Sequence, residues 1–559
     1  MIGDVMSKKN SKSKNNKGKR DSKVNKINND IKTEKLNNVK MNVSEDLLNE
    51  EFKKKRKKFC LFFLIWICIL AIGLVRKPLQ NDTFYTIKIG ELIFDNGIDM
   101  MDHFSFHTNL AYTYPHWLYD VFIYLVYAIG GFVGIHISSI GLFLILLILV
   151  FKTNKKITDD VFVSAFAVFI CALAVSSFVT ARAQLASFLV FVLQIYFIEM
   201  FLQNGKKKYL FGLLFLSLIL CNIHVAVWPF YFILYLPYLA EYVVSYVVSK
   251  IKIKKENKFT LFFKRKFVLE KNKNIKYIFI IMIASLFTGL ITPIGDTPYT
   301  YLIKTMMGNS QNYITEHQML GWINSPFTII IAFETLFLSL FSKAKLRDFF
   351  MICGLVLMSI VSTRHLSLLA LIGTICYARL FSMFLDNFNV NFEKKIVNFF
   401  SKKRFAIGSF IIIFVFSSFM LNHHLKKDFL DEKFYPIEAT KYIKENLDIK
   451  NVRIFNEYNF GSYLLFNDIP VYIDSRADLY TKQFSGFEYD IFDDFYYLLP
   501  NFENKFNFYD ITHVLLYKEQ TEYFCNVLKD NDNYKILYED DYYVLFERLE
   551  NDVVVVTVD

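Results

Sequence analysis

The fold turns on residues 81–120, NDTFYTIKIGELIFDNGIDMMDHFSFHTNLAYTYPHWLYD. This stretch follows the first long apolar run and precedes the second. It carries Asp82, Asp95, Asp99, Asp102, His103, His107, His116 and Asp120 among Phe, Tyr and Trp. A link between two membrane spans needs only a few turn residues, so one this long and this acidic has a further task.

Outward from that stretch the chain is apolar. It has 559 residues, 54% of them hydrophobic, with 61 Phe and 34 Tyr but only 20 Gly. A bilayer is spanned by about twenty apolar residues in helical form, and the apolar runs number about eleven. They lie near residues 59–75, 132–151, 161–179, 185–201, 209–223, 225–248, 277–293, 327–341, 349–361, 366–384 and 405–421. Residues 118–129 are too short and tyrosine-rich for a span and are expected to form a helix lying on the outer leaflet. The class is therefore a polytopic α-helical membrane protein.

The net charge of +11 does not point to nucleic acid, because of where the charge sits. Lysines crowd the N-terminus, including KKKRKK at residues 53–58, and recur between alternate apolar runs, at 152–156, 206–208, 250–266, 343–347 and 394–404. Basic loops stay on the cytoplasmic side, so the pattern puts the N-terminus inside and everything after Leu421 outside. The expected organisation is a disordered basic tail (1–57), a membrane region (58–421) whose first outer loop is 76–131, and an extracytoplasmic α/β domain (422–559). In that last part, 437–447 has helical spacing. Strands are expected at 452–455, 463–466, 471–473, 513–517, 534–538 and 543–546, with a helix near 520–528 and a further strand or frayed end in the VVVVTV tail. Six of the 7 cysteines lie in or at apolar runs, which leaves Cys525 alone outside and no disulfide framework.

This threading gathers polar residues on the outer face: the 81–120 stretch, Arg182, His224, Asp296, Glu316, His317, Arg364 and His365. Charged groups at membrane level pair with one another or line a cavity. Glu334 and Arg379, inside predicted spans, are more simply an internal pair or snorkelling helix ends. Asp82 lies just beyond the first span, at a depth where a general base could meet a lipid headgroup. Asp102 is the second carboxylate in reach. Either residue, or Asn81, is equally placed to cap a helix. Arg182 and Arg364 stand at span ends, where a guanidinium fork suits a phosphate, although a snorkelling arginine looks the same. Asp102 and His103 are candidate ligands for a divalent metal, Mg or Mn, without matching a specific ligand spacing. In the exterior part, Asp474, Arg476 and Asp478 follow a predicted strand, as binding residues or as a structural Asp–Arg pair.

These residues, in this order, resemble the GT-C superfamily of membrane glycosyltransferases, which includes the protein mannosyltransferases, and within it a branch of bacterial membrane proteins. The resemblance is carried by Asp82-Thr83-Phe84-Tyr85, Gly90-Glu91-Leu92-Ile93, Asp102-His103-Phe104-Ser105 and His116-Trp117-Leu118. It continues in Arg182-Ala183-Gln184, Asn222-Ile223-His224, Thr292-Pro293-Ile294-Gly295, Arg364-His365, Asn456-Glu457-Tyr458, Gly461-Ser462-Tyr463 and Asp474-Ser475-Arg476. It implies a GT-C-like fold and an enzyme that moves a sugar, with inversion, from a polyprenyl-phosphate donor to a glycan or protein acceptor at the outer face. Asp82 would be catalytic, with Asp102 as helper. Arg182, Arg364, His224 and His365 would bind the donor phosphate, and His116, Trp117, Asp474 and Arg476 would face the acceptor. The sequence departs from the pattern at His116, where an acidic residue is expected, and at Ala183, where proline is. The rival expectations are a lipid-linked glycan polymerase or ligase on the same scaffold, a transporter or flippase, and a scaffold that binds cell-wall polymer.

Overall fold

The computed structural model describes residues 47–250, 265–308, 313–314, 326–388, 390–499 and 501–549. Residues 1–46 of the expected tail, Glu316, His317 and the VVVVTV tail lie outside these described residues; residues 47–57, expected to be disordered, are instead helical and run into the first long apolar helix, Leu47–Leu74.

Every predicted span falls on a helix. Seven described helices are long and apolar enough to cross a membrane: Leu47–Leu74, Trp117–Thr158, Val161–Phe178, Ala183–Asn204, Val225–Lys250, Thr363–Leu385 and Lys403–Leu425. Lys208–Ile223, Ile275–Leu290 and Ile329–Phe341 are apolar but shorter, and Leu346–Val361 is a further apolar helix of 16 residues. The segment expected to lie on the leaflet belongs to the 42-residue helix Trp117–Thr158, which bends at Gly131 (φ 57°, ψ −152°). Only glycine takes that backbone cheaply, so the expected surface segment and the expected span are two arms of one bent helix.

The chain divides into two compact units. The smaller one combines the N-terminal residues through Phe63 with Glu393–Ile407. Within it, Arg56 Nε bonds Glu393 Oε1 at 2.7 Å and the Phe59 ring meets Phe400 at 5.8 Å. The larger one holds Leu64–Phe392 and Gly408–Asp559, and contains everything described below.

Its membrane part is tied together by a buried ionic network. Arg347 reaches Glu199 (3.1 Å), Glu241 (3.0 Å) and Glu270 (3.3 Å). Arg379 does not pair with Glu334 but with Glu199 (2.6 Å) and Asp348 (2.8 Å). Charges at this depth persist only when each has its partners.

The C-terminal part carries a four-stranded sheet. Strand Ile454–Asn456 runs parallel to His513–Tyr517. The latter is antiparallel to Tyr543–Arg548, which is antiparallel to Tyr534–Glu539. Two expected strands are not strands. Residues 463–466 lie in the helix Tyr458–Phe466, and Val471 makes only isolated bridges, to Ile454 and Ser105. Aromatic packing decides the first case: Tyr463 and Phe466 close on Phe84 at 5.4 and 5.5 Å, and Tyr435 joins them at 5.0 Å. Rings that bury this much surface outweigh a weak local β preference.

The same contacts give the first outer loop and the C-terminal sheet one hydrophobic core. The backbone joins them as well: Phe106 N–H donates to the Val471 carbonyl and Val471 N–H to that of Phe104, both at 3.2 Å.

Candidate functional site

The helix Asn81–Asn96 begins directly beyond the first span, with Gln80 in the N-cap position. Asp82 therefore sits in the first turn rather than capping it. Its carboxylate is favoured there by the helix dipole. Gly90, from the quoted motif, lets the helix lie on the Trp117–Thr158 helix, because a Cβ there would strike the Asp120 carbonyl. Asn81 Nδ2 donates to the Tyr458 carbonyl at 3.1 Å and fixes the start of the helix against the C-terminal part.

Arg182 occupies the extended N-cap position of Ala183–Asn204, and its guanidinium grips the Asp82 carboxylate directly through Nε and Nη2. This pair stands where two cavities meet. A small one of about 160 Å³ is lined by Asp82, Arg182, Arg364, His116, His224 and Arg476, among others. A large one of about 1230 Å³ shares with it Asp82, Arg182, Ile314, Tyr458 and Ser475. Asp82 and the two arginines singled out in the sequence thus line one chamber.

The polar wall of the small cavity is ordered by hydrogen bonds. His116 Nδ1 meets Asp120 Oδ1 at 2.6 Å, and its Nε2 meets the Tyr85 hydroxyl at 3.2 Å. His224 Nδ1 meets Ser187 Oγ at 2.9 Å, and the two imidazoles face each other edge-on at 6.4 Å. The Tyr301 hydroxyl donates to Asp478 at 2.5 Å.

Arg476 also reaches the cavity, but its guanidinium is held by two carboxylates. Nη1 bonds Asp102 Oδ1 at 2.5 Å, and Nε and Nη2 hold Asp474 at 2.9 and 2.6 Å. Tyr480 gives Asp474 a further hydroxyl at 2.5 Å. Asp102 also takes the Ser105 hydroxyl at 2.6 Å and the Ser105 N–H at 2.9 Å. Burial pushes the Asp102 carboxyl up, and the Arg476 charge with the Ser105 bonds more than reverses this, holding it below the usual carboxylate range. Asp102 lines neither cavity. Its position, with that of Asp474, is that of a strut joining the 81–120 stretch to the C-terminal part.

The other expected residues point elsewhere. His103 bonds Asp99 at 2.6 Å rather than joining Asp102. Among the described residues no group of three His, Cys, Asp or Glu could hold a metal ion. Trp117 Nε1 donates to Asn222 at 3.0 Å and anchors the loop to a span. His365 meets the Met358 carbonyl at 3.0 Å and packs on Phe230 at 5.0 Å, away from both cavities. His107 is buried against the Tyr472 carbonyl at 2.8 Å, and desolvation lowers its pKa to about 4, so it is a neutral structural group.

Three contributors were not singled out as site residues. Asp120 had a signal, the i,i+4 spacing from His116 on a helix. Tyr301 had none, and Glu457 had only its place in the Asn456-Glu457-Tyr458 motif. Glu457 lines the large cavity and takes the Tyr517 N–H at 2.5 Å. Burial raises its pKa to about 7, partly offset by that bond.

No protein-family model and no curated protein sequence matches this chain. Among solved structures, the apo oligosaccharyltransferase of Archaeoglobus fulgidus aligns over 82% of this chain and 70% of its own, with a TM-score of 0.54 at 9% identity. The fold is GT-C-like. ArnT from Cupriavidus metallidurans, solved with undecaprenyl phosphate, aligns over 88% of this chain and 98% of its own, with a TM-score of 0.48 at 9% identity. By its apolar helices the chain is a multi-pass membrane protein, and its 81–120 stretch and C-terminal sheet share one core beside the two cavities.

Proposed function

We propose that this GT-C-like protein transfers a sugar from a polyprenyl-phosphate donor to a hydroxyl acceptor at the outer face of the membrane. Its N-terminus is cytoplasmic and its C-terminal domain extracytoplasmic in this reading. One observation carries it: Asp82, Arg182 and Arg364 line a single cavity just beyond the first span, and the Asp82–Arg182 pair stands where that cavity meets a second. The shared fold with an oligosaccharyltransferase supports it, as does the charge pattern of the loops.

In this mechanism the acceptor oxygen attacks the anomeric carbon from the face opposite the phosphate. The new C–O bond forms as the sugar–phosphate bond breaks, with inversion. The proton of the acceptor passes to Asp82, and the departing phosphate keeps the bond electrons. Arg182 turns from Asp82 to the phosphate as the donor enters, and Arg364 meets it from the other side. His224 and the His116–Asp120 pair shape the polar wall around the sugar. A Mg or Mn ion would find no converging donors at Asp102 and His103, which are committed to Arg476 and Asp99, so no step is routed through one.

The test is the full-length protein in proteoliposomes with a radiolabelled polyprenyl-phosphohexose. Bond cleavage with release of polyprenyl phosphate supports the reading. Movement of intact donor across the bilayer without cleavage would replace it with a flippase.

A further inference from the structure

The large cavity changes character along its length. Leu74, Val75 and Met420, at the ends of two spans, form an apolar floor. Immediately beyond them come Arg76, Lys77, His136, His423, His424 and Lys427. The far wall belongs to the exterior part, with Tyr435, Glu457, Tyr458, Asn459, Tyr517 and Gln520. The lining thus combines apolar, cationic, and aromatic and hydroxyl-binding surfaces, the three that a lipid tail, a phosphate and a sugar would meet.

Among the described residues the cationic band has no salt-bridge partner, and Asp431 is the carboxylate that lines the same cavity nearest to it in sequence. Lys77 Nζ reaches only the Leu425 carbonyl, at 3.4 Å, and the face of Phe429, at 4.9 Å. Among the described residues Arg76, Lys77 and Lys427 form no salt bridge. His424 is 7% exposed, and its Nε2 is buried without a hydrogen-bond partner. An orphaned buried donor or acceptor beside uncompensated cations is costly unless an anion completes the group.

We infer that the large cavity is the acceptor site, and that the acceptor is a glycan carried on a lipid phosphate, its phosphate held by Arg76, Lys77, His424 and Lys427. The inference rests on the proposed transfer reaction for the word acceptor, but the binding it describes does not depend on turnover. Glu457, Asn459 and Gln520 present the carboxylate and amides that a sugar hydroxyl would meet, and the Tyr435 and Tyr517 rings give it faces. The acceptor hydroxyl then enters the junction from the large side, while the donor phosphate between Arg182 and Arg364 enters from the small one. Each phosphate has its own cations.

The experiment measures binding by the full-length protein in neutral phosphatidylcholine nanodiscs. The probes are a fluorescent decyl-pyrophosphoryl disaccharide and the decyl disaccharide that lacks phosphate. The phosphorylated probe is expected to bind at least about tenfold more tightly, the scale of one charge-assisted contact. The K77Q/K427Q double variant is expected to erase that preference, while R364Q retains it. Equal binding of the two probes by the unmodified protein would overturn the inference. So would loss of the preference in R364Q, which would mean a single phosphate site. Nanodiscs with added phosphatidylglycerol separate the two sources of phosphate: if they abolish the preference, the band reads bulk lipid headgroups and the inference falls. Binding is read without a donor and without turnover, so a failure of transfer is distinguishable from a failure of binding.

Discussion

Replacing Asp82 by Asn separates a catalytic from a structural role for the Asp82–Arg182 pair. The Asp82 side chain is 13% exposed and that of Arg182 30%. A pair in partial contact with solvent stabilises far less than a buried one, and Asn keeps the shape and one acceptor oxygen. The expected loss of folding stability is therefore about 1 kcal/mol or less. Removing a general base costs roughly 10²- to 10⁴-fold in rate, about 3–5 kcal/mol of barrier. The two magnitudes are well separated, so D82N should insert and unfold much as the unmodified protein does while transfer collapses. The assay is single-turnover transfer from a radiolabelled polyprenyl-phosphate sugar in nanodiscs, with thermal unfolding measured on the same samples. R182Q should differ by raising the KM for donor as well as lowering kcat, because it removes a phosphate contact. Turnover by D82N within about threefold of the unmodified protein would refute the assignment. So would a fall in unfolding temperature large enough to explain the loss.

Three further outcomes follow from the buried charges. D102N removes one acceptor of the fully buried Arg476 network and should cost about 3–5 kcal/mol, read as a lower unfolding temperature; a shift of under a degree would show that the strut carries no load. R379M strands Asp348 and part of Glu199 in the membrane part, at about 3–5 kcal/mol, and R379M/D348L should recover much of it in detergent unfolding. Glu457 titrates near 7 when folded against 4.5 for the free side chain. The folded state therefore holds more protons between those values. Its contribution to stability is fully present below pH 4.5 and is lost as pH rises through 7, by about 3 kcal/mol at most. E457Q should flatten the unfolding temperature between pH 5 and 8 relative to the unmodified protein, and parallel profiles would contradict this.

The spans were legible because spanning a bilayer is a local property, set by the length of a contiguous apolar run. Asp82 and Arg182 were legible as chemistry, a carboxylate and a guanidinium at span ends. That each is the other's partner was not. Asp102 shows the opposite case: the same local signal, an acidic residue beside Ser105 in the outer loop, belongs to a strut. What separates it from Asp82 is Arg476, 374 residues away. The strand expected at 463–466 failed for a related reason. Its local β preference is worth a few tenths of a kcal/mol per residue, about the size of one ring contact, and it met four rings from other segments, Phe84, Tyr127, Phe132 and Tyr435.

By itself the sequence determined the helical membrane class, the places of the apolar helices, and the gathering of acids and arginines near their ends, since each depends only on residues adjacent along the chain. Tertiary structure alone decided that Asp82 meets Arg182 across 100 residues at a junction of two cavities. It also decided that the outer loop and C-terminal sheet close over one core, and that a cationic band lines the larger cavity. Contacts of that kind depend on which helix packs against which, and no span of contiguous residues encodes that choice.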